Sequence, residues 1–528
     1  MRSTSFAFCL LITASTFVFS QSNSNDTSNQ QFRALAVDAG TVTGSIRSFQ
    51  GVNGPPFPVK AGLPNLVKQY HDIRVTSVRT HDSYGPTEID AVYTDKNLKV
   101  FFPDAADRLQ VAKASQDNSI FKDWSADPDK PESYNFPPTD KIVQAIRDSG
   151  AEVYYRVGRS AGGNLEPPKD PAKYAAIAAH IAMHYNQGWA HGFHDGIRYW
   201  EIWNEPQFFW SGTPEQFYEL YDKAARALKA VDPALKVGAD ANAMPLTSGP
   251  YREGLLDYIK EHEVPFDFYS WHTYADMSYD PYDAVTIGSE TRLLLDNKGF
   301  TKVESILSEW NLSADFTKDE EPELSSMENA AFVGSVLMNL QDSQVDFAHF
   351  YRGDTLWMGL FNNDGSYRKP AYAFRAAGMM LDTPDRLDAF GGDTYGFNVL
   401  AGRSKSSKRV QILIDNYQIP AQHTPPILRM MQKMKDQGTG MDTGTNIDPS
   451  TFKFPPIRTG INYSNNKGYS LTVTNLPWGN HPFTIKRYRL TKTEDFALID
   501  QGKGEGGKAT LSNPLPPPGM ELIVLETK

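Results

Sequence analysis

The chain alternates short apolar segments with amphipathic helical segments between residues 43 and 380, and this alternation restricts its fold more than any other feature. Eight of the apolar segments have the length and the β-branched and aromatic content of buried strands. They lie at 44–52, 72–80, 151–157, 197–203, 235–241, 266–273, 303–310 and 347–352. Strands that alternate with helices form parallel βαβ units, and eight units in roughly 340 residues favour a closed (β/α)8 TIM barrel. An open doubly wound sheet is the alternative.

The stretch 85–138, between the second and third predicted strands, is longer than one helix requires. It is rich in aspartate, proline and aromatic residues. A segment that follows a barrel strand emerges at the catalytic face, where loops carry the binding groups. We therefore expect this stretch to form one wall of a cleft.

The helical period fades after about residue 386, where short β-like segments separated by turn residues take over. They lie at 396–401, 409–414, 469–475, 483–490 and 521–527. This spacing is typical of a β-sandwich. We predict an α/β chain with a catalytic barrel at 43–385 and an accessory C-terminal β-sandwich at 386–528. A long surface loop is expected at 418–466, and an edge strand of the sandwich within 21–42.

The first 20 residues have the features of a signal peptide. Arg2 precedes an apolar segment at 6–19, and Val18 and Ser20 fit the −3 and −1 positions of a cleavage site. The segment is too short to span a bilayer stably, and no later apolar stretch has the length of a membrane anchor. We therefore expect a secreted protein, extracellular or periplasmic, with a polar leader from residue 21. A buried N-terminal helix is the structural alternative.

Cysteine content and net charge narrow the chemistry. Cys9 is the only cysteine and lies within the predicted signal peptide, so the mature chain would hold no disulfide and no thiolate nucleophile. The formal net charge is -11. This argues against nucleic-acid and anionic-membrane partners, because binding phosphates requires a basic surface. A carbohydrate partner is compatible with it, and the oligomeric state is left open.

Two glutamates follow the same local pattern at the ends of predicted strands. Residues 199–206 read YWEIWNEP, so an apolar strand runs directly into Glu205 and a proline. Residues 305–311 read SILSEWN, which puts Glu309 at the end of the seventh strand. Barrel enzymes hold their chemistry at the carboxyl ends of the strands. We expect the ends of strands four and seven to flank a substrate.

Two carboxyl groups facing each other across a glycosidic bond are what acetal hydrolysis requires. One must be protonated to release the leaving oxygen, and the other must be ionised to meet the developing positive charge. Oxygens ~5 Å apart predict a direct attack with retention of anomeric configuration. A salt bridge or a helix cap is the structural alternative for either glutamate.

Further motifs extend this pattern. They are FQGVNG at 49–54, RTHD at 79–82, WHTY at 271–274, GLF at 359–361 and RKPAY at 368–372. Together with WNEP and SEW, these motifs resemble glycoside hydrolase family 39 of clan A from about residue 45 to 420, with a matching trailing β-domain. The family is best known for β-xylosidases and also includes α-L-arabinofuranosidase-type and exopolysaccharide-cleaving members. The resemblance implies a retaining mechanism without a metal or cofactor.

The resemblance also assigns roles at matching positions. It implies Glu205 as general acid/base and Glu309 as nucleophile. Asn204 matches the residue that binds the sugar 2-hydroxyl, and His81 fits a second hydroxyl contact. The strand-six pair is His272, suited to the acid/base region, and Tyr274, suited to hold the nucleophile by its phenol. Each of these side chains has an ordinary packing role as its alternative.

The sequence departs from the xylosidase pattern at several positions. Strand three ends in YRVGRS at 155–160, and QFFW follows the acid/base at 207–210. Charges near the expected cleft come from Arg159, Arg352 and Asp354, which would fit a larger, decorated or charged sugar. The aromatic residues proposed to stack on a sugar ring are Phe208, Trp210, Trp310 and Trp357. Core packing is the alternative for this group.

Two other motifs suggest different chemistry and are rejected. His180 and His184 are four residues apart on one predicted helix, but no glutamate follows His180 as in a zinc protease. GRSAG at 158–162 matches a serine-hydrolase motif, but two prolines follow where a helix must begin. We predict neither a metal nor a cofactor.

The sequence thus predicts a secreted retaining glycoside hydrolase acting on plant or microbial oligo- or polysaccharides. We expect a β-xylosidase-like or α-L-arabinofuranosidase-type exo-glycosidase. An endo-acting exopolysaccharide hydrolase or a transglycosylase using the same site is the first alternative. A non-catalytic sugar-binding protein is the second.

Overall fold

The computed structural model describes most of the chain from residue 32 onwards. The described residues are 32–58, 62–90, 93, 98, 102, 104–159, 165–275, 278–313, 321–420, 451–458, 461, 463 and 465–528. The predicted signal peptide, the leader up to residue 31, most of the predicted surface loop and the serine of the GRSAG motif lie outside them. None of the described helices has the length and apolarity that crossing a membrane requires.

Eight parallel strands close into a barrel. The first strand of the described chain, β1 (Arg33–Ser45), belongs to a second sheet. The barrel strands follow in chain order: β2 (Gly51–Asn53), β3 (Ser77–Arg79), β4 (Glu152–Val157), β5 (Tyr199–Ile202), β6 (Lys236–Asn242), β7 (Phe268–Tyr274), β8 (Glu304–Asn311) and β9 (Phe347–Phe350). The ring closes where β9 pairs with β2. The predicted TIM barrel is confirmed, and the open sheet is excluded.

The first two barrel strands are shorter than predicted. Residues 44 and 45 pair with Arg386 and Asp385 in the second sheet rather than with barrel strands. The second predicted strand began at 72, but Asp72 ends a helix, Val67–Asp72. In both places the predicted strand included residues of the preceding element, because apolar content alone does not mark the boundary between two elements.

Helices connect the barrel strands. They are Val67–Asp72, Ala105–Asn118, Pro137–Asp148, Pro171–Gln187, Pro206–Phe209, Pro214–Val231, Leu255–Glu261, Asp283–Asn297, Glu321–Leu324, Met327–Asn339 and Lys369–Met379. Several begin on a proline behind a capping side chain. Thr213 and Gln216 form a reciprocal capping box at the start of Pro214–Val231. Such caps satisfy backbone N–H groups that have no partner within the helix, so they fix where the helix begins.

The second sheet is mostly antiparallel and has nine strands. After β1 its members are β10 (Asp385–Phe390), β11 (Phe397–Arg403), β12 (Arg409–Asn416), β13 (Gly468–Thr474), β14 (Phe483–Leu490), β15 (Asp495–Gly504), β16 (Ala509–Pro514) and β17 (Gly519–Glu526). The strand order is β15-β14-β17-β12-β11-β10-β1-β13-β16. The trailing β-domain of the sequence analysis is therefore present as one continuous sheet.

Strand β1 is not at an edge of this sheet, which corrects the sequence prediction. It pairs antiparallel with β10 on one side and parallel with β13 on the other. The buried positions Leu35, Val37 and Ala39 alternate as a strand with one buried face requires. Alternation reveals the buried face of a strand but not how many neighbours its backbone has, so the sequence did not show the inner position.

One helix joins the barrel to the second sheet. Every residue of Met327–Asn339 except Glu328 is buried, because the helix packs between the barrel and strands β11, β12 and β17. At Gly334 an added Cβ would lie 2.0 Å from Met520 Cε, so any side chain here would require the end of the Met520 side chain to move. The hydroxyl of the next residue, Ser335, donates to Asp415 Oδ2 at 2.5 Å.

The buried carboxyl at this junction makes stability depend on pH. Burial raises the pKa of Asp415 well above that of an ordinary aspartate. A raised folded-state pKa gives stability that is complete at low pH and is lost as pH rises. Asp415→Asn keeps an acceptor for Ser335 and cannot ionise. We expect the variant to melt about 2–4 °C above the parent at alkaline pH, with no difference at about pH 4, in calorimetric scans.

Asp148→Asn is the matched control, because Asp148 is exposed at the end of its helix. We expect this control to follow the melting temperature of the parent at every pH. If Asp415→Asn melted below the parent at neutral and alkaline pH but not at about pH 4, the buried carboxyl would be ionised and stabilising, and the account would be wrong.

Candidate active site

Glu205 lies where β5 ends and the chain turns sharply. It precedes the short helix Pro206–Phe209 and has a left-handed backbone conformation, with φ 46° and ψ 59°. Its backbone N–H donates to the Asp240 carbonyl at 3.1 Å, which ties the turn to the neighbouring strand β6. Left-handed backbone is costly for a residue with a side chain and persists at functional sites. The turn directs the carboxyl toward the mouth of the barrel.

Glu309 meets Glu205 at this mouth. It lies within β8, in register with His272 of β7. One carboxylate oxygen from each glutamate and one ring nitrogen of His272 all lie within 4.8 Å of one another. The structure thus brings together the two carboxyl groups that the sequence predicted as a catalytic pair, at the separation typical of retaining glycosidases.

The side chains of Arg79, Tyr274 and His81 lie against the Glu309 carboxylate. Arg79 Nη1 donates to Oε1 at 2.7 Å, and the Tyr274 hydroxyl donates to Oε2 at 2.8 Å. His81 Nε2 lies 3.2 Å from Oε1. Burial raises the pKa of Glu309 to about 7, while the Arg79 charge and the Tyr274 hydrogen bond oppose the rise. Both donors act on the ionised form, so they favour the carboxylate.

Glu205 has a different environment. Its Oε1 lies 2.6 Å from His272 Nδ1. Burial, followed by the negative charge of Glu309, raises the pKa of Glu205 well above its usual value, and no arginine among the described residues pairs with its carboxyl. Burial also lowers the pKa of His272 well below its usual value, so the ring is neutral. The two environments therefore favour the protonated form at Glu205 and the carboxylate at Glu309.

Arg79 links the site together from inside the barrel. Besides Glu309, it donates from Nε to Glu201 Oε2 at 2.6 Å, from Nη1 to Asn53 Oδ1 at 3.0 Å and from Nη2 to Asn204 Oδ1 at 2.7 Å. The side chains of Arg79 and Glu201 are both fully buried. A charge at such depth persists only when paired, so this contact set holds the floor of the site rigid.

Three further residues belong to the site and were not predicted as site residues from the sequence: Arg79, Glu201 and Asp240. Asp240 is buried at the end of β6, and its Oδ2 accepts from Gln207 Nε2 at 3.2 Å. All three are charged residues within barrel strands whose residues are mostly buried. A barrel strand buried on both faces holds a charge only for pairing or function, so this signal was available in the sequence.

The smaller predicted contacts surround the two glutamates. Asn204 is buried, and its bond from Arg79 fixes the orientation of its amide. His81 is also buried, and burial lowers the pKa of its ring well below the usual value. Both residues therefore lie where the prediction needs them, and their contacts with sugar hydroxyls remain predictions.

Trp310 does not lie in the cleft, which corrects the sequence prediction. It is 1% exposed, and its ring packs on Phe350 and Phe374 at centroid distances of 5.1 and 6.4 Å. Successive side chains of a strand point to opposite faces. Because Glu309 faces the interior of the barrel, Trp310 faces the helix Lys369–Met379 outside it.

Trp357 belongs to the rim. It is half-buried on the segment after β9 and packs edge-on against Phe102, with ring centroids 6.2 Å apart. Phe102 and Tyr84 belong to an aromatic cluster that Phe209 also contacts. The described part of 85–138 therefore reaches the segments that follow β5 and β9, as expected of a wall. A stacking role for Trp357 remains a prediction.

The charges proposed for a charged sugar are paired within the protein. Arg159 Nη2 bonds Asp90 Oδ2 at 2.8 Å. Arg352 bonds Asp354 Oδ2 at 2.5 Å and Asp82 Oδ2 at 3.3 Å. Because each arginine has a carboxylate partner, the structure gives no support to a charged sugar as the substrate.

The atoms of Glu205, His272 and Glu309 could also ligate a cation by their spacing. Arg79 already provides a positive charge 2.7 Å from Glu309. A second cation at this distance would be repelled, and the two donors to Glu309 would compete with it. The arrangement therefore fits proton transfer and nucleophilic attack better than metal binding.

Comparisons with known proteins agree with this geometry. The model of glycosyl hydrolases family 39 matches residues 115–352, a range that includes both glutamates. A beta-xylosidase of Geobacillus stearothermophilus is 26% identical over 276 residues, or 46% of this chain and 53% of that protein. A beta-xylosidase of Caldicellulosiruptor saccharolyticus is 36% identical over 117 residues, 21% of this chain and 22% of that protein. The chain thus matches about half or less of the length of these relatives.

A solved structure matches over nearly the full length. The crystal structure of a glucosidase from Croceicoccus marinus is 33% identical and has a TM-score of 0.78. The match covers 95% of this chain and 100% of that chain. The family resemblance predicted from the strand-end motifs is confirmed: the chain belongs to glycosyl hydrolase family 39.

Proposed function

We propose that this family 39 glycoside hydrolase is a retaining exo-glycosidase in which Glu205 is the acid/base and Glu309 the nucleophile. The observation that supports this most directly is the approach of the two carboxyls to within 4.8 Å. At that separation no water fits between the sugar and the second carboxylate, so direct attack is favoured over inversion.

The proposed first step forms a covalent intermediate. One oxygen of the Glu309 carboxylate attacks the anomeric carbon while the Glu205 carboxyl transfers its proton to the glycosidic oxygen. The bond from the anomeric carbon to that oxygen breaks, and the leaving group departs as an alcohol. Glu309 is then esterified to the sugar, and Glu205 is left ionised.

The second step restores both carboxyls. With the charge of Glu309 removed by the ester, the pKa of Glu205 falls, and the carboxylate acts as a base. It takes a proton from a water that attacks the anomeric carbon from the side the leaving group vacated. The ester bond breaks, Glu309 regains its charge, and the sugar is released with its original configuration.

Burial and pairing support a small neutral terminal sugar as substrate. The Glu205 and Glu309 side chains are only 13% and 4% exposed, as expected in a closed pocket rather than an open groove. The arginines near the mouth are neutralised by carboxylates. The names of the relatives point to a β-xyloside or a glucoside, and the α-L-arabinofuranoside expected from the sequence completes the set to test. A panel of aryl glycosides of these sugars identifies the substrate.

Secretion is part of the proposal and rests on the sequence of residues 1–20 alone. Expression with that segment and N-terminal sequencing of the exported protein test it. A product that stays with the cells and keeps Met1 would contradict it.

Leaving-group dependence distinguishes the roles of the two glutamates. We expect Glu205→Ala to lower kcat/KM by about 10²–10⁴-fold for poor leaving groups and little for good ones, because only poor ones need protonation. Glu309→Ala should lower it by roughly 10⁴-fold or more for all of them, because no intermediate can form. Glu290→Gln, on an exposed helix position, is the control. Equal losses across leaving groups in Glu205→Ala would contradict the assignment.

The pH profile reports on the donor to the nucleophile. Removing the Tyr274 hydroxyl takes away a hydrogen bond that favours the Glu309 carboxylate, so the pKa of Glu309 rises. Since Glu309 must be ionised to attack, Tyr274→Phe should move the acidic limb of the kcat/KM profile to higher pH. Tyr372→Phe, outside the site, should leave the profile unchanged. An acidic limb that stays in place or moves to lower pH in Tyr274→Phe would contradict the role of this hydroxyl.

A further inference from the structure

Residues 451–458, which precede β13 of the second sheet, lie on the catalytic side of the barrel. Arg458 fixes one end of this segment. Its Nε and Nη2 donate to the two oxygens of Asp280 at 2.5 Å each, and Nη2 also donates to the Thr394 carbonyl at 2.7 Å. Asp280 follows barrel strand β7, and Thr394 lies between β10 and β11. The arginine therefore anchors the segment to the barrel and the second sheet together.

Aromatic rings on both sides strengthen this anchor. The Arg458 guanidinium lies 4.9 Å from the ring centroid of Tyr282 and 4.2 Å from that of Tyr395. A guanidinium between two rings and bonded by both arms to one carboxylate loses much of its rotational freedom. Six residues farther back, the chain can extend up to about 20 Å from it.

The other end of the segment reaches the acid/base turn. The Lys453 backbone N–H donates to Thr247 Oγ1 at 2.9 Å, on the loop that follows β6. The Phe452 ring meets the Phe208 ring edge-on, with centroids 6.1 Å apart and planes at 85°. Both rings are only partly buried, so each retains apolar surface open to a ligand.

Phe208 belongs to the same helical turn as Glu205. Its backbone N–H donates to the Glu205 carbonyl at 2.8 Å. A general acid lies beside the oxygen that it protonates, and that oxygen belongs to the leaving group. The partly exposed Phe208 ring, on the same turn as the proposed acid, is therefore assigned to the leaving-group side of the cleft and not to the side that holds the cleaved sugar.

We propose that Phe208 and Phe452 form a leaving-group subsite, built jointly by the barrel and by the segment 451–458, that prefers planar apolar leaving groups such as aryl alcohols. The inference rests on the proposed function, because it takes Glu205 as the acid. Two rings at right angles present a face and an edge, which suits contact with a third ring.

The test compares two leaving groups of similar acidity on the sugar that the panel selects: phenyl and hexafluoroisopropyl. We expect Phe208→Ala and Phe452→Ala to lower kcat/KM for the phenyl glycoside by about 3–10-fold, the value of one aromatic contact. The hexafluoroisopropyl glycoside should change less than about twofold. The rate of deglycosylation should not change, because the leaving group has departed by then. Phe390→Ala is the matched control, since Phe390 is 56% exposed on β10.

A second measurement separates this subsite from the proposed mechanism. The phenyl glycoside is titrated calorimetrically into Glu309→Gln, with and without Phe452→Ala. Weaker binding of the phenyl glycoside to the variant that also carries Phe452→Ala supports the subsite. This result holds even if the parent hydrolyses no glycoside, an outcome that would contradict the proposed function but not the subsite. Equal losses for both leaving groups, slower deglycosylation, or unchanged binding of the phenyl glycoside would overturn the subsite.

Discussion

The contacts of one buried guanidinium hold the site together. Arg79 binds Glu309 from β8, Glu201 from β5 and the Asn204 amide next to Glu205, so a single side chain of β3 links β5 and β8. Removing one partner from a buried ion pair costs about 3–5 kcal/mol, because the remaining charge has no compensation. Arg79 therefore fixes the position of Glu309, the proposed nucleophile, and also stabilises its ionised state inside the barrel.

This arrangement gives two chemically identical side chains different electrostatic environments. Glu309 accepts from Arg79 and Tyr274, whereas Glu205 contacts a neutral imidazole and feels the charge of its partner. Burial raises the pKa of both carboxyls, but the donors to Glu309 and the negative charge next to Glu205 push the two protonation equilibria apart, as the proposed nucleophile and acid require. The mouth of the barrel then sets access, with the aromatic cluster around Phe102 on one side and the Phe208–Phe452 pair on another.

The barrel and the two glutamates could be predicted because local patterns determine them. Apolar strands alternate with helices along the chain, and each glutamate lies at the end of a predicted strand. Contacts between distant segments could not be predicted in this way. The inner position of β1 depends on β13, more than 400 residues later. Phe452, from the predicted loop 418–466, contacts Phe208 on the turn that begins at Glu205. The position of Trp310 was wrong for a different reason. Its strand was predicted, but side chains alternate between the two faces of a strand, so the residue next to Glu309 points away from the cleft.

Trapping the covalent intermediate tests the central claim most directly. A 2-deoxy-2-fluoro glycoside of the preferred sugar slows both steps, but an activated leaving group keeps the first step faster than the second, so the ester accumulates. Mass spectrometry of peptides from the trapped protein should find the sugar on Glu309, and proton NMR of the first product should show the anomeric configuration of the substrate. A label on another residue, or a first product of inverted configuration, would contradict the account.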